Sequence, residues 1–564
     1  MLIDLPMLNY SKSLRRILIS SIPLAVAIYS ILYWSSDHQH LADWYKSLNP
    51  YFYRAANWDT LFFSSLVNSQ GNWWCLAAII AAFGWAFILW KSPRFVLPKF
   101  QLNKNSALIY AAIILAGIFL SLISNMHSLQ STDEVFSAIN FASIPAFQGF
   151  SYYALPNNHL LFNLINGMVF FWSDNLVQSG RIISMACYVV ILCLSFNFLK
   201  KWIKSNWIIF GSLAILALQF PAWGFSGQAR GYEMVLLFSL LSLITFWNYW
   251  LEKKQFLLSI HAFSNVAAML TIPSYLYWWA GLLLAAFIFM LWERHIDRNY
   301  IRASIASIFI AVVLFLPALT FSGIHAFTGN RYVRPEDIST WVFVKKLITQ
   351  GYFTGLLNEW FSLGSFTVLC FTCLFLPLLL FVFPGNDNRY RKLGILYYAI
   401  MIAFLFLTVF MRKLPFYRNM IAHGFIALMI ILIALCPLMS RRYLRIGFGF
   451  ILIIFAAFSA FRNYKLIPES LYHSEIRSNF NKLSECKTEF KPGNTVYLDD
   501  ECFYWWYILK TKYPNNKLQI KYNRPSFEFQ DYCIMPIGSS APADTAIYRK
   551  VECCNEYNLF ERKK

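Results

Sequence analysis

Apolar runs of about 16–20 residues recur along most of the chain, separated by short polar stretches. A helix needs roughly 20 apolar residues to cross the hydrocarbon core of a bilayer. The pattern therefore predicts an all-α polytopic membrane protein. The thirteen predicted spans lie at 17–34, 73–90, 106–124, 182–199, 207–222, 233–250, 256–272, 274–292, 303–321, 366–384, 393–411, 419–437 and 444–461.

The pattern changes in the tail, residues 462–564, which is only moderately apolar. Short alternating segments at 494–498, 517–522 and 532–537 predict strands, and 500–513 predicts a helix. The tail is therefore expected to be a small α/β or α+β domain.

The charge pattern predicts how the spans are oriented. The chain carries 48 Lys and Arg against 28 Asp and Glu, a net charge of +20. With the N-terminus in the cytoplasm, the inner loops hold a large excess of Lys and Arg, and the outer loops are nearly balanced, as the positive-inside rule requires. The excess thus indicates orientation rather than nucleic-acid binding. An odd number of spans places the tail outside the cytoplasm.

This orientation depends on the run at 159–172. If the run crossed the bilayer, every later loop would be inverted. At 14 residues it is short for a crossing, and such lengths favour a re-entrant or interfacial segment. We therefore expect it to enter and leave on the outer side.

The spans hold no Asp, Glu, Lys or Arg at mid-depth, which argues against a transporter, because transporters commonly carry such groups there. Candidate chemistry lies instead in the outer loops, chiefly 125–181 and 322–365. Asp133 and Glu134 follow the third span and could supply a general base. Asn158 and His159 lead into the re-entrant run.

Basic residues on the predicted outer side run against the charge bias. Arg230 precedes Tyr232 and Glu233 at the outer end of one span, and a tight outer turn carries Arg412, Lys413, Tyr417 and Arg418. Arginine can grip a phosphate through two parallel hydrogen bonds. These cations therefore predict a site for a lipid-borne phosphate.

The order of these motifs resembles the C-type membrane glycosyltransferases, in particular the protein O-mannosyltransferases and the lipid A aminoarabinose transferase. The resemblance covers roughly residues 105–440. It rests on the motifs Asp133-Glu134, Pro156-Asn157-Asn158-His159, Ser179-Gly180-Arg181-Ile182-Ile183-Ser184, Ala229-Arg230-Gly231-Tyr232 and Pro415-Phe416-Tyr417-Arg418.

The resemblance implies an enzyme of the bacterial inner membrane that moves a hexosyl or pentosyl group from a polyprenyl-phosphate donor to a hydroxyl acceptor, with inversion and its active site outside the cytoplasm. Asp133 would be the base, with Glu134 orienting it or binding the sugar. No cofactor would be required, although Asp133 and Glu134 could hold a divalent ion. The implied donor-phosphate ligands are Arg230, Arg412, Lys413 and Arg418, and the implied substrate-binding residues are Asn158, His159, Tyr232, Glu233, Arg331 and Tyr417.

The chain departs from the family pattern in two ways. Its acidic loop follows the third span, so residues 1–92 form an added two-span unit before a transferase domain at 93–461. Glu233 stands where many relatives have a second essential acid. A ligase-like transferase using a diphosphate-linked glycan, a lipid or polysaccharide transporter, and a membrane scaffold remain alternatives.

Overall fold

The computed structural model describes most of the membrane region and the strands of the tail. The described residues are 12–48, 63–90, 104–127, 132–153, 158–170, 176–328, 338–349, 352, 355–357, 372–382, 388–439, 441–471, 489–499, 505, 509, 519–522, 530–536, 547–554 and 557–563.

Helices make up nearly all of the described membrane region. In chain order they are α1 (Lys12–Ser35), α2 (His38–Leu48), α3 (Ser65–Trp90), α4 (Lys104–His127), α5 (Thr132–Ser137), α6 (Ala146–Ser151), α7 (Leu160–Phe170), α8 (Leu176–Trp202), α9 (Asn206–Leu218), α10 (Phe220–Ser226), α11 (Tyr232–Glu252), α12 (Gln255–Thr271), α13 (Leu276–Glu293), α14 (Arg298–Phe321), α15 (His325–Thr328), α16 (Thr340–Thr349), α17 (Thr372–Val382), α18 (Asn388–Met411), α19 (Ile421–Leu435) and α20 (Arg442–Leu471).

By length and composition, nine helices in the described part of the chain can cross a membrane, and ten if α1 and α2 count as one broken span. The chain is therefore an integral membrane protein. The predicted count of thirteen is not confirmed, because α9, α12 and α17 are apolar but short. Proline explains two of these: Pro221, the second residue of α10, lies just after the end of α9, and Pro273 follows α12.

One apolar core holds the middle of the bundle together. Helix α11 lies near its centre, packing along α12 and α8, while α13 packs on α18 and α9 on α20. About two thirds of the α11 span is buried inside the protein. The enclosure of α11 fixes the position of its first residues, where the candidate site begins.

The N-terminal helices form a second cluster against α14. Helix α3 packs along both α1 and α14, and α2 turns away from α1 by 119°. Tyr45 of α2 is fully buried and hydrogen-bonds Ser151 at 2.8 Å, while Gln148 donates to the Tyr45 carbonyl at 2.7 Å. The predicted N-terminal unit thus contacts α6, within the predicted outer loop 125–181.

The described part of the loop between α4 and α8 consists largely of short helices. Helix α5 continues into a π-helical turn at Ala138–Ala142, followed by α6 and α7. Helix α7 has 11 residues, so it is about 16 Å long, roughly half the hydrocarbon thickness. That the run at 159–172 enters and leaves on the outer side stays a prediction.

The tail contains a five-stranded sheet of order β2-β1-β3-β5-β4. Strand β1 pairs in parallel with β2 and β3, and β5 pairs antiparallel with β3 and β4. The three predicted strands are found as β1, β2 and β3, while β4 and β5 were missed. The strands are β1 (Thr495–Leu498), β2 (Gln519–Tyr522), β3 (Tyr532–Pro536), β4 (Tyr548–Cys554) and β5 (Tyr557–Arg562).

The helix predicted at 500–513 lies outside the described residues, except for Trp505 and Leu509.

Candidate active site

Helix α5 presents its two acids in different directions. Asp133 and Glu134 lie in its first turn, where negative charge is favoured by the helix dipole. Successive helical residues are about 100° apart around the axis. The Asp133 side chain is therefore 38% exposed, whereas that of Glu134 is 1% exposed.

Asp133 lies between two arginines from distant parts of the chain. Its Oδ2 is 3.7 Å from Nη2 of Arg230 and 3.4 Å from Nη1 of Arg418. Nη1 of Arg230 also donates to the Asp133 carbonyl at 3.2 Å and to the Ser137 hydroxyl at 2.9 Å. Asp133 and Ser137 are four residues apart, so one face of α5 positions the buried Arg230.

Glu134 is committed to an internal network. Nε and Nη2 of Arg181 approach its two oxygens at 3.0 and 3.1 Å, and the Ala229 N–H donates to Oε1 at 2.6 Å. Nη1 of Arg181 also donates to Asn125 Oδ1 at 2.6 Å. Glu134 therefore ties the end of α4, the start of α8 and the turn at 229–231 to α5, which suits bracing better than proton transfer or metal ligation.

The Tyr232 ring contacts several of the other residues in this site. The guanidinium carbons of Arg230 and Arg418 lie 5.5 and 5.9 Å from its centroid, within range of cation–π attraction. The Tyr232 hydroxyl is also 3.3 Å from Nη2 of Arg230. A single aromatic side chain thus contacts both cations that face Asp133.

His159 packs edge-on against the same ring. Its centroid is 5.0 Å from that of Tyr232 at an interplanar angle of 75°, and the Gly231 N–H donates to its Nδ1 at 2.8 Å. Burial, and then the charges of Arg230 and Arg418, hold the pKa of His159 well below its usual value of 6.5. These effects favour the neutral imidazole of His159 in this site.

Asn158, a predicted substrate ligand, is fully buried and engaged within the fold. Its amide nitrogen donates to the Gly149 and Tyr152 carbonyls at 2.8 and 2.6 Å, and its Oδ1 accepts from Asn163 at 2.9 Å. These bonds fix the segment that carries His159 against α6. The structure thus gives Asn158 a positioning role for its neighbour.

Three further predicted ligands have other surroundings. Arg412 donates from Nη1 to the Ile338 carbonyl at 2.7 Å, so it anchors the chain just before α16. Lys413 is largely buried, which lowers its pKa. Tyr417 packs against Tyr352, with ring centroids 5.3 Å apart. Arg418, in the same predicted basic turn, contacts Asp133.

Glu233 is completely buried in the first turn of α11, and neither of its carboxylate oxygens has a hydrogen-bond partner among the described residues. The structure therefore places Glu233 inside the bundle. Arg331, also predicted to bind substrate, lies outside the described residues.

Two residues of this site were given no role from the sequence. Ser137 could have been found from its helical spacing to Asp133. Gly231 was named in the motif Ala229-Arg230-Gly231-Tyr232, but its role appears only in the fold: a Cβ there would lie 2.8 Å from Nδ1 of His159 and 2.7 Å from Cγ2 of Thr271. Glycine is therefore needed for the backbone to approach the imidazole.

The charges leave a small positive excess at the surface. Glu134 and Arg181 neutralise each other, His159 is neutral, and Arg230 and Arg418 outnumber Asp133. Among the described residues there is no group of three or more His, Cys, Asp or Glu that could hold a metal ion. The arrangement combines an accessible carboxylate with two arginines, which suits binding an anion beside a proton acceptor.

Comparisons with known proteins yielded structural matches only: no family model and no curated protein matches the chain. One similar solved structure is ArnT from Cupriavidus metallidurans bound to undecaprenyl phosphate, at a TM-score of 0.49 and 12% identity, covering 81% of this chain and 98% of that one. Another is the arabinosyltransferase EmbB from Mycobacterium smegmatis, at a TM-score of 0.38 and 13% identity, covering 72% of this chain and 41% of EmbB. Both are membrane glycosyltransferases, the class that the sequence resemblance named.

Proposed function

We propose that this protein is a membrane glycosyltransferase that moves a sugar from a polyprenyl-phosphate donor to a hydroxyl acceptor, with inversion at the anomeric carbon. The active site would lie on the extracytoplasmic side of a bacterial inner membrane, and the sugar would be a hexosyl or pentosyl group. The observation that carries the proposal is the position of Asp133 between Arg230 and Arg418.

The two arginines suit the donor phosphate. Their guanidinium groups face the Asp133 carboxylate. A phosphodiester anion can take over these contacts, because phosphate oxygens accept paired hydrogen bonds from arginine. Arg230 is buried and held by α5, whereas the Arg418 side chain is 41% exposed. Arg230 would therefore be a fixed ligand, and Arg418 one that moves to the phosphate.

Asp133 suits the role of general base. Once the phosphate has taken over the arginine contacts, the Asp133 carboxylate can accept a proton. The acceptor oxygen attacks the anomeric carbon and loses its proton to Asp133. The bond between the anomeric carbon and the phosphate oxygen breaks, and its electron pair stays on the phosphate. Arg230 and Arg418 stabilise the resulting dianion, so the proposed reaction requires no metal ion.

The test uses purified protein, a panel of labelled polyprenyl-phosphate sugars and an envelope extract that supplies acceptors. Asp133→Asn is expected to lose at least 100-fold in turnover, since general bases contribute about 10²–10⁴. Arg418→Ala is expected to raise the apparent KM for the lipid, and Arg418→Lys to restore it only partly, because lysine lacks the planar fork.

Asp43→Asn is the matched control, because Asp43 is an exposed acid on α2. It should transfer sugar at the wild-type rate. Near-normal turnover of Asp133→Asn would refute the assignment of the base. A change in the acceptor's KM alone in Arg418→Ala would refute the phosphate site. Movement of the intact lipid across vesicles without sugar transfer would indicate a transporter instead.

A further inference from the structure

We propose that His159 is a neutral hydrogen-bond donor to the anion held by Arg230 and Arg418, acting through its Nε2–H and not as an acid, a base or a cation. This inference rests on the proposed function, because it assigns a third contact to the same donor phosphate. It names a tautomer and a direction of hydrogen bonding that can be measured separately from sugar transfer.

A backbone contact fixes the tautomer. The Gly231 N–H lies 2.8 Å from Nδ1 of His159, and a backbone amide can only donate. Nδ1 must therefore carry a lone pair, so a neutral ring carries its proton on Nε2. Gly231 permits this approach because it lacks a Cβ. Among the described residues, Nε2 makes no hydrogen bond, so its proton is available to a ligand.

The imidazole ring lies near both arginines. His159, Arg230 and Arg418 all contact the Tyr232 ring, at 5.0, 5.5 and 5.9 Å from its centroid. The imidazole is therefore on the same aromatic platform as the two guanidinium groups. A phosphate has several acceptor oxygens, so it can bind both arginines and still accept a hydrogen bond from a third side.

The surroundings keep the ring neutral. The charged groups around it are Arg230 and Arg418, with Asp133 paired to both, and these two arginines oppose a positive charge on the imidazole. From α11 it meets the Tyr232 ring, and from α12 the Thr271 methyl group lies close to the same glycine. No described acid contacts the imidazole to stabilise its protonated form. A neutral donor can therefore stay in place at a pH where a free histidine would be charged.

The experiment measures binding of a polyprenyl monophosphate to full-length protein in detergent, with the uncharged polyprenyl alcohol as the control ligand. His159→Gln keeps an amide donor near the position of Nε2. His159→Asn keeps an acceptor near Nδ1 for the Gly231 N–H but has no donor at Nε2. We expect His159→Asn to bind about tenfold more weakly and His159→Gln to bind within about threefold of wild type. His40→Asn, an exposed change on α2, should bind as wild type.

The pH dependence distinguishes a neutral donor from a cation. Titration of the ligand affects its binding to the wild type and to His159→Gln equally, so it cancels in the ratio of the two affinities. This ratio should stay flat from about pH 8 down to about pH 5.5, and a wild-type advantage that grows below about pH 6.5 would show a cationic histidine.

Nitrogen NMR of ¹⁵N-histidine-labelled wild-type protein provides a readout of the tautomer that does not depend on how tightly any variant binds the ligand. The signals absent from His159→Gln identify His159, and its proton should lie on Nε2. A proton on Nδ1, or unchanged binding by His159→Asn, overturns the inference while leaving the proposed function standing. Failure of the wild-type protein to bind the monophosphate overturns both.

Discussion

Replacing Glu134 by alanine should destabilise the fold far more than it disturbs the chemistry directly. Both Glu134 and Arg181 are almost fully buried, and two parallel contacts join them. Removing one partner of such a pair leaves an uncompensated buried charge, which costs about 3–5 kcal/mol. The Ala229 N–H would lose its acceptor as well, so we expect the cost to lie toward the upper end of that range.

A second variant distinguishes the cost of an unpaired buried charge from the cost of changing the side chains at these positions. The double variant Glu134→Leu/Arg181→Met removes both charges, so its remaining cost is chiefly that of two groups that lose a partner, the Ala229 N–H and the Asn125 side chain, at about 1–3 kcal/mol each. It should therefore be more stable than Glu134→Ala alone. The free energy of unfolding can be measured by titration with sodium dodecyl sulfate in mixed micelles, followed by tryptophan fluorescence. Glu252→Ala, which breaks an exposed pair with Lys254, is the control and should cost at most about 1 kcal/mol.

The result that would refute this reasoning is a Glu134→Ala protein as stable as Glu252→Ala but without transferase activity. Glu134 would then be a reacting group, and the division of roles between the two acids of α5 would be wrong.

Three further predictions concern the surroundings of the site. Gly231→Ala should lower the stability of the protein by about 1–3 kcal/mol and displace His159. The control Gly447→Ala has open space around its Cβ position and should be neutral or stabilising. Thermal unfolding compares the two variants. Tyr45→Phe should cost about 1 kcal/mol by removing its bond to Ser151, and a lower rate of transfer, measured on the labelled donor, would show that α2 supports the site. The pKa of His159 is lowered in the fold, so the unfolded chain binds more protons than the folded one below about pH 6.5. As the pH falls, the free energy of unfolding of the wild type should therefore decrease by up to about 1.4 kcal/mol per pH unit relative to that of His159→Gln. Denaturant titrations that give the same pH dependence of this free energy for both proteins would contradict the prediction.

The sequence predicts where the polar groups of this protein lie along the chain better than it predicts which way they face. Asp133 and Glu134 are adjacent and chemically alike, yet one is exposed beside two arginines and the other is enclosed by Arg181. That difference depends on the rotation of α5 about its axis, which packing decides. Similarly, Arg412 and Arg418 belong to one basic turn, but a left-handed residue at Arg412 directs the chain so that its side chain contacts Ile338.

The missed strands have a comparable cause. Strand β4 lies at an edge of the tail sheet and carries Arg549 and Lys550 among its first residues. Charged side chains are common on edge strands, where they discourage pairing with other chains. They also remove the apolar alternation by which a strand is recognised, so β4 did not stand out. Strand β5, which pairs with it, shows an equally weak pattern in sequence.

The charges of the proposed site balance at both ends of the proposed reaction. Before transfer, Arg230 and Arg418 offset the negative charges of Asp133 and of a phosphodiester donor. After transfer, Asp133 is protonated and the released phosphate carries two negative charges, which the same two arginines offset. A charged His159 would leave an extra positive charge at both stages, and a free Glu134 would leave an extra negative one. Glu134 is paired with Arg181, and His159 accepts a hydrogen bond from the Gly231 amide. The proton can therefore move to Asp133 without a change in the net charge of this partly buried site. A change in net charge would be costly there, because a low-dielectric environment screens charge poorly.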